Sequence, residues 1–145
     1  MSEAVPGCEL CHGAGGALLW QNGLCRVVAV DEPGLPGFLR VVLARHVREM
    51  TDLPRADRER LMAIVFAVEA HVRKWLEPDK MNLASLGNLT PHVHWHVIPR
   101  WRDDRHFPAP VWAAARHEGA VPPERLAAAA RMAATLPAAL AAFAD

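Results

Sequence analysis

The chain has 145 residues, 52% of them hydrophobic, and its 16 basic side chains balance 16 acidic ones at a formal net charge of +0. This predicts one domain with a sizeable core, spanning residues 1–145. We expect no nucleic-acid partner, no membrane span and no secretion signal, since the sequence has no Lys/Arg-rich run and no long apolar run. Its three cysteines fit reduced thiols in the cytoplasm better than a disulfide framework.

The N-terminal part of the chain predicts three strands. Leu18–Gln21 and Leu24–Asp31 flank Asn22-Gly23, the commonest two-residue hairpin turn, so we expect a β-hairpin. Cys25 is then a core residue of the second strand. A Pro- and Gly-rich loop follows, and the apolar, β-branched stretch Phe38–Ala44 predicts the third strand.

The stretch Pro54–Leu76 predicts the longest helix. An acidic residue and a proline mark its start, and apolar side chains recur at helical spacing, namely Leu61, Ile64, Val65, Val68, Val72, Trp75 and Leu76. We expect this helix to cover one face of the sheet. His71 within it is expected to be a partly exposed histidine without a functional role.

Two more strands and a second helix complete the predicted fold. Lys80–Leu86 and His92–Arg100 are predicted strands, and residues 101–121 predict an irregular segment. An Ala-rich helix follows Pro122-Pro123, and Pro137 should kink or end it. These elements predict an α+β fold of two layers, an antiparallel sheet of about five strands with one long helix packed on it and a C-terminal helix.

Three histidines in strict alternation stand out within the last predicted strand. His92, His94 and His96 alternate with apolar residues, so their imidazoles should share one face of the strand while the apolar face packs on the core. Imidazole is a nucleophile, an acid or base and a metal ligand near neutral pH. Arg100, just beyond, favours a structural or solvated role.

This stretch resembles the signature of the histidine-triad (HIT) family of nucleotidyl hydrolases and transferases. The resemblance extends to Met81–Leu86, Ala44-Arg45-His46 and the Cys8-x-x-Cys11 pair, and thus covers roughly residues 8 to 101. It implies a two-layer fold, a small-molecule nucleotide substrate and a homodimer, for which Pro54–Leu76 is the expected interface element. It implies no catalytic cofactor.

The resemblance also assigns roles. His94 is implied as the nucleophile that forms a covalent nucleotidyl intermediate, His92 as the residue whose carbonyl orients it, and His96 as a phosphate contact. Further substrate-binding roles fall to Asn82 at the phosphate, Asn88 and Thr90 in the loop before the triad, and Asp31 at the ribose. For Asn88 and Thr90, an ordinary role as turn residues is about equally plausible. Trp101, Trp112 and the C-terminal extension 102–145 are where substrate selectivity is expected.

A structural zinc ion is expected on Cys8, Cys11, His46 and His92. A C-x-x-C pair supplies two thiolates, two histidines complete a Cys₂His₂ set, and some HIT proteins bind zinc at matching positions. The Gly-rich residues 1–17 would form the zinc-binding N-terminal segment. A redox C-x-x-C is the competing interpretation.

Three functions are therefore considered. The first is cleavage at the α-phosphate of a dinucleoside polyphosphate, a phosphoramidate or an acyl nucleotide. The second is a hydrolase whose catalytic zinc is held by the three triad histidines, which would be strained as joint ligands on one strand. The third is a nucleotide-binding or interaction module with little turnover.

Overall fold

The computed structural model describes residues 4–145. Within this range five strands form one antiparallel sheet in the order β1-β2-β3-β5-β4. The strands are β1 Ala17–Gln21, β2 Cys25–Ala29, β3 Leu39–Leu43, β4 Lys80–Ala84 and β5 His94–Arg100. The helices are α1 Glu9–His12, α2 Arg55–Leu76 and α3 Pro123–Ala139. The predicted α+β fold with an antiparallel sheet is confirmed. Residues 1–3 of the expected zinc-binding segment lie outside the described range.

Most predicted strand ends are shifted by one or two residues, and hydrogen bonds explain the shifts at the β1–β2 turn and at the start of β5. The connection between β1 and β2 has three residues, 22–24, because the Asn22 side chain accepts hydrogen bonds from the backbone N–H groups of Leu24 and Cys25, both at 2.9 Å. Strand β5 begins at His94, because the backbone N–H of His92 donates to the carbonyl of Thr90 at 2.8 Å and closes a turn there.

Helix α2 packs on one face of the sheet, as its apolar spacing predicts. Its inward side chains are buried, and it ends at Glu77, whose left-handed backbone (φ 44°) precedes Pro78. The expected exposure of His71 is wrong. This side chain is 8% exposed, and its Nε2 atom lies 3.0 Å from both the carbonyl oxygen of Met132 and the hydroxyl of Thr135. Packing of α3 against α2 buries it.

The C-terminal helix belongs to the main core. Met132, Leu136 and Leu140 are at most 1% exposed and pack with the side chains of α2 and of the sheet. Pro137 lies inside α3, and the helix ends two residues later at Ala139, as predicted. Of the helices in residues 4–145, none is both long and apolar enough to cross a bilayer.

The two faces of the sheet carry different side chains. The register pairs Val42 with His94, Arg40 with His96, and Val28 with Arg40, so these five side chains share the face opposite α2. A small second apolar cluster covers part of this face and joins Val28 and Val42 to Cys8, Leu10 and Cys11. The N-terminal segment therefore lies across the histidine face of the central strands.

Candidate active site and metal cluster

The sheet brings His94 and His96 together at the floor of a cavity. Their ring centroids are 4.9 Å apart and their planes meet at 82°. The cavity has a volume of about 430 Å³ and is lined by Glu9, Leu10, Arg40, Leu86, Gly87, Asn88, Leu89, Thr90, His94, His96 and Trp112. Strands β3 and β5, the loop before β5, the N-terminal segment and the C-terminal segment all contribute. A cavity of this size is in the range of small-molecule sites.

The tautomer of His94 follows from one hydrogen bond. Its Nδ1 atom lies 2.6 Å from the backbone carbonyl oxygen of His92, and a carbonyl oxygen can only accept. In the neutral ring Nδ1 therefore carries the proton, and Nε2 keeps its lone pair. The hydroxyl of Ser85 in turn donates to the backbone carbonyl of His94 at 2.7 Å, which fixes the strand at this residue. The arrangement provides an oriented ring with one nucleophilic nitrogen.

His96 is a buried, neutral neighbour of this ring. Burial, then the nearby His94 and Arg40, lower the pKa of His96 to about 4. Its Nδ1 atom is buried and has no hydrogen-bond partner among residues 4–145. The Trp112 ring meets it edge-on with centroids 5.0 Å apart. At neutral pH the ring can donate one hydrogen bond to a bound oxygen but brings no charge.

The N-terminal segment is fixed over this face by two arginines. Arg26 on β2 donates to the carbonyls of Leu10, Gly13 and Ala14 at 2.8–2.9 Å, and Arg40 on β3 donates to that of Gly15 at 3.0 Å. These bonds satisfy one carbonyl within the short helix α1 and three that follow it. They place Glu9 and Leu10 at the cavity.

Four side chains predicted as metal ligands meet in one cluster. One ligand atom from each of Cys8, Cys11, His46 and His92 lies within 4.8 Å of all the others. The His92 Nδ1 atom is 3.5 Å from the Cys8 sulfur and 3.6 Å from the Cys11 sulfur, and the Cys11 sulfur is 3.3 Å from His46 Nδ1. The described residues thus form a cluster that could hold a metal ion.

The chemistry of the donor set fits that role. The Nε2 atom of His92 lies 2.7 Å from the carbonyl oxygen of Leu43, so Nε2 carries the proton and Nδ1 presents its lone pair to the sulfurs. Zinc–sulfur bonds of about 2.3 Å and zinc–nitrogen bonds of about 2.0 Å at tetrahedral angles put sulfur and nitrogen about 3.5 Å apart. The observed separations are close to this value. Burial raises the pKa of the Cys11 thiol, which a bound cation would offset.

The other predicted binding residues divide into two groups. Asn88 and Thr90 line the cavity. Asn82 shares the face of His96 but is absent from the cavity lining, and its side-chain oxygen accepts from Arg100 Nη1 at 2.9 Å. Asp31 is exposed beyond the end of β2 and is also absent from the lining. Roles for both in substrate binding stay predictions.

Arg100 has the structural role that was favoured for it. It is 2% exposed and forms a two-pronged ion pair with the fully buried side chain of Asp104, at 2.8 and 3.0 Å. Burial raises the pKa of Asp104, but hydrogen bonds from Arg100 and from the backbone N–H groups of His106, Trp101 and Phe107 outweigh it and lower the pKa to about 2. This pair anchors the segment after β5 to the sheet.

Sequence reasoning missed Arg40 as a cavity residue. Arg40 is the one charged residue within an apolar run on β3, and this was the signal available in the sequence. Only the register of β3 against β5 places it beside His96. Trp112 was expected to affect selectivity, and the structure places it in the cavity wall.

Comparison with known proteins agrees with this geometry. The family pattern of the HIT domain matches residues 15–103, more than half of the chain. The chain belongs to the HIT domain family. A histidine triad protein from Marinobacter aquaeolei VT8 is 29% identical, with a TM-score of 0.71 over 90% of this chain and 93% of that one.

Two further relatives are informative. A Mycobacterium tuberculosis protein named AP-4-A phosphorylase is 33% identical over 81 residues, which cover 52% of this chain and 42% of that protein. The chain thus spans less than half the length of that relative. A zinc-bound histidine triad family protein from Mycobacterium smegmatis has the same fold at 20% identity, with a TM-score of 0.62 over 94% of this chain and 95% of that one.

Proposed function

We propose that this protein is a nucleotidyl hydrolase or transferase that attacks the α-phosphate of a nucleoside 5′-phosphate derivative. Dinucleoside polyphosphates, phosphoramidates and acyl nucleotides are the substrate classes considered. The single observation that carries the proposal is the 2.6 Å contact between His94 Nδ1 and the His92 carbonyl oxygen. In the neutral ring it leaves Nε2 of a cavity-lining histidine with a free, oriented lone pair, as a nucleophile requires.

The remaining cavity residues have complementary roles in this proposal. His94 attacks phosphorus and forms a nucleotidyl-histidine, and His96 donates a hydrogen bond to a phosphate oxygen. Asn88 and Thr90 lie where loop donors can contact the same phosphate. The intermediate is then resolved by water or by a second acceptor. The name of the Mycobacterium tuberculosis relative makes inorganic phosphate an acceptor to test.

A catalytic zinc on the triad is disfavoured by the geometry. The metal-ligand cluster in the described residues includes His92 but neither His94 nor His96. His94 also commits Nδ1 to a carbonyl and His96 lies against Trp112. We propose instead that Cys8, Cys11, His46 and His92 hold a structural zinc ion, which would tie the N-terminal segment to β3 and to the start of β5.

We further propose that the protein acts as a homodimer in the cytoplasm. Cys8, Cys11 and Cys25 form no disulfide with one another, as expected in a reducing compartment. The family resemblance is what supports the dimer and α2 as its interface element, and Phe66 on this helix is an apolar side chain that is 54% exposed. Light scattering at micromolar concentration should give twice the 15.9 kDa chain mass, and a monomer mass would contradict the dimer.

The function is tested by release of nucleoside monophosphate when water is the acceptor, or of nucleoside diphosphate when inorganic phosphate is the acceptor. Diadenosine tetraphosphate, an adenosine phosphoramidate and an acyl adenylate are incubated with the protein, with and without inorganic phosphate, and products are separated by chromatography. We expect turnover of at least one substrate by the wild type and none by His94→Ala. The exposed His117 provides a matched control, since His117→Ala should retain full activity. Normal activity of His94→Ala would refute the mechanism.

A further inference from the structure

One positive charge stands alone in the cavity wall. Among the lining residues, all of which belong to the described part of the chain, Arg40 is the sole lysine or arginine. It lies directly across from His96 in the pairing of β3 with β5. Glu9, the one carboxylate of this lining, is exposed, so solvent screens its charge. The cavity therefore presents a fixed cation beside the histidines.

The guanidinium of Arg40 has unused hydrogen-bonding capacity. Nη1 donates to the Gly15 carbonyl at 3.0 Å, whereas Nε is buried and has no partner within residues 4–145. A buried donor on a charged group is costly when it is left unpaired. Guanidinium donors match the oxygens of a phosphate group in number and direction. Because Arg40 lines the cavity, its charge and the guanidinium nitrogens that do not bond to Gly15 suit an anionic ligand there.

We propose that Arg40 is a specificity-determining residue that binds the phosphate oxygens of the leaving group. This inference rests on the proposed function and narrows its substrate class to nucleoside 5′-polyphosphate anhydrides. Substrates whose leaving group is a neutral amine do not use this contact. The cavity then prefers polyphosphate derivatives of a nucleotide to phosphoramidates of the same nucleotide.

The bond changes are consistent with this preference. Nε2 of His94 forms the nitrogen–phosphorus bond while the bond from the α-phosphorus to the bridging oxygen breaks, and its electron pair stays on the departing phosphate. That oxygen needs no proton at neutral pH, and Arg40 offsets its charge. Water then attacks phosphorus, the electron pair of the nitrogen–phosphorus bond returns to Nε2, and a proton of the water passes to bulk solvent.

An amine leaving group needs a proton from a general acid. An amine departs only after its nitrogen has accepted a proton. The neighbouring His96 ring is almost entirely neutral at pH 7, because burial and the nearby charges lower its pKa to about 4. It can donate a hydrogen bond, but it has no extra proton to transfer to the amine. The environment of His96 thus supports the same preference as the position of Arg40.

The test compares two substrates that carry the same nucleotide. The values of kcat/KM for diadenosine tetraphosphate and for an adenosine phosphoramidate are measured for wild type, Arg40→Met, Arg40→Lys and Arg55→Met. We expect Arg40→Met to lower kcat/KM on the tetraphosphate on the order of 10²-fold and on the phosphoramidate by less than about threefold. Arg40→Lys should recover part of the loss. Arg55→Met, on the exposed start of α2, should leave both values unchanged.

Two results in this assay would overturn the proposal: no loss on the tetraphosphate, or an equal loss on both substrates. The second would mean that Arg40 acts only through its bond to Gly15 or through the α-phosphate. Thermal melting of each variant checks that the fold is kept.

A binding measurement tests this inference separately from the proposed function. Inorganic tripolyphosphate is titrated calorimetrically into wild type and Arg40→Met. We expect at least about tenfold weaker binding to Arg40→Met, and equal binding would overturn the proposal. If the wild type turns over neither nucleotide substrate, the proposed function fails, while this titration still decides whether Arg40 binds the phosphate chain.

Discussion

The His94 Nδ1 atom lies 2.6 Å from the main-chain carbonyl oxygen of His92, whose own ring lies among the sulfurs of Cys8 and Cys11. His92 therefore belongs to the cluster of candidate metal ligands through its side chain and contacts the candidate nucleophile through its backbone. The cluster fixes the N-terminal segment and the residue that sets the tautomer of His94. The cluster and the cavity are thus adjacent on one face of the sheet. In our proposal the cluster supports the fold and the cavity carries the chemistry.

Removal of one thiolate should affect stability more than chemistry. Cys8→Ala should bind little zinc and have a melting temperature lower by roughly 5–10 °C, because the proposed ion would link the N-terminal segment to the sheet. The kcat of the folded fraction should stay close to that of the wild type. Cys25 is the matched control, since it is 1% exposed, lies in the main core and takes no part in the cluster.

Elemental analysis of protein purified without chelator measures this directly. We expect close to one zinc per chain in wild type and in Cys25→Ala, and little in Cys8→Ala. A wild-type zinc content far below one per chain would rule out the structural ion.

Two neighbouring aspartates should differ sharply in their effect on stability. Asp104→Asn leaves Arg100 buried without its partner charge, which should cost about 3–5 kcal/mol of unfolding free energy. Asp103 pairs with Arg125, but its side chain is 59% exposed, so Asp103→Asn should cost about 1 kcal/mol or less. Denaturant unfolding of both variants makes the comparison, and equal losses would contradict it.

The same pair predicts an acid dependence. The pKa of Asp104 is lowered to about 2 in the fold, so its contribution is fully present above the unfolded value of 3.8 and is lost as pH falls from there towards 2. The contribution at neutral pH is on the order of 2 kcal/mol. Unfolding free energies between pH 6 and pH 3 should fall less steeply for Asp104→Asn than for wild type, and parallel curves would refute this role.

His96 should stay neutral well below the pH at which an exposed histidine is charged. Its ring should titrate near pH 4 in a proton–nitrogen correlation spectrum, and Arg40→Met should raise the midpoint because one nearby positive charge is gone. The folded state then binds fewer protons than the unfolded chain between pH 6.5 and 4, so this residue lowers stability as pH falls through that range. A midpoint near 6.5 would contradict the buried, neutral ring.

Alternation and helical spacing sufficed to predict most of the fold. The apolar residues of α2 form one stripe that must pack against the sheet. The alternation in β5 places Val97 on one face of the sheet and His94 and His96 on the other. The Cys8-x-x-Cys11 pair and two distant histidines were recognised as one ligand set through family resemblance, and the structure brings them together.

Long-range packing was beyond the reach of these patterns. His71 is buried by Met132 and its neighbours on α3, and nothing local to α2 indicates which helix covers it. Arg40 shares the cavity with His96 only because of a strand register that a single sequence does not specify. The ring of His92 likewise contacts Cys8 and the carbonyl of Leu43, which lie far away in the chain.

Trapping the covalent intermediate on His94 tests the central claim most directly. Wild-type protein is mixed with diadenosine tetraphosphate, quenched in base within milliseconds to seconds and digested for mass spectrometry. We predict that a peptide containing His94 gains the mass of one adenylyl group, and that the gain is absent in His94→Ala and present in His117→Ala. Turnover by the wild type with no such adduct, or with the adduct on a different residue, would contradict the account.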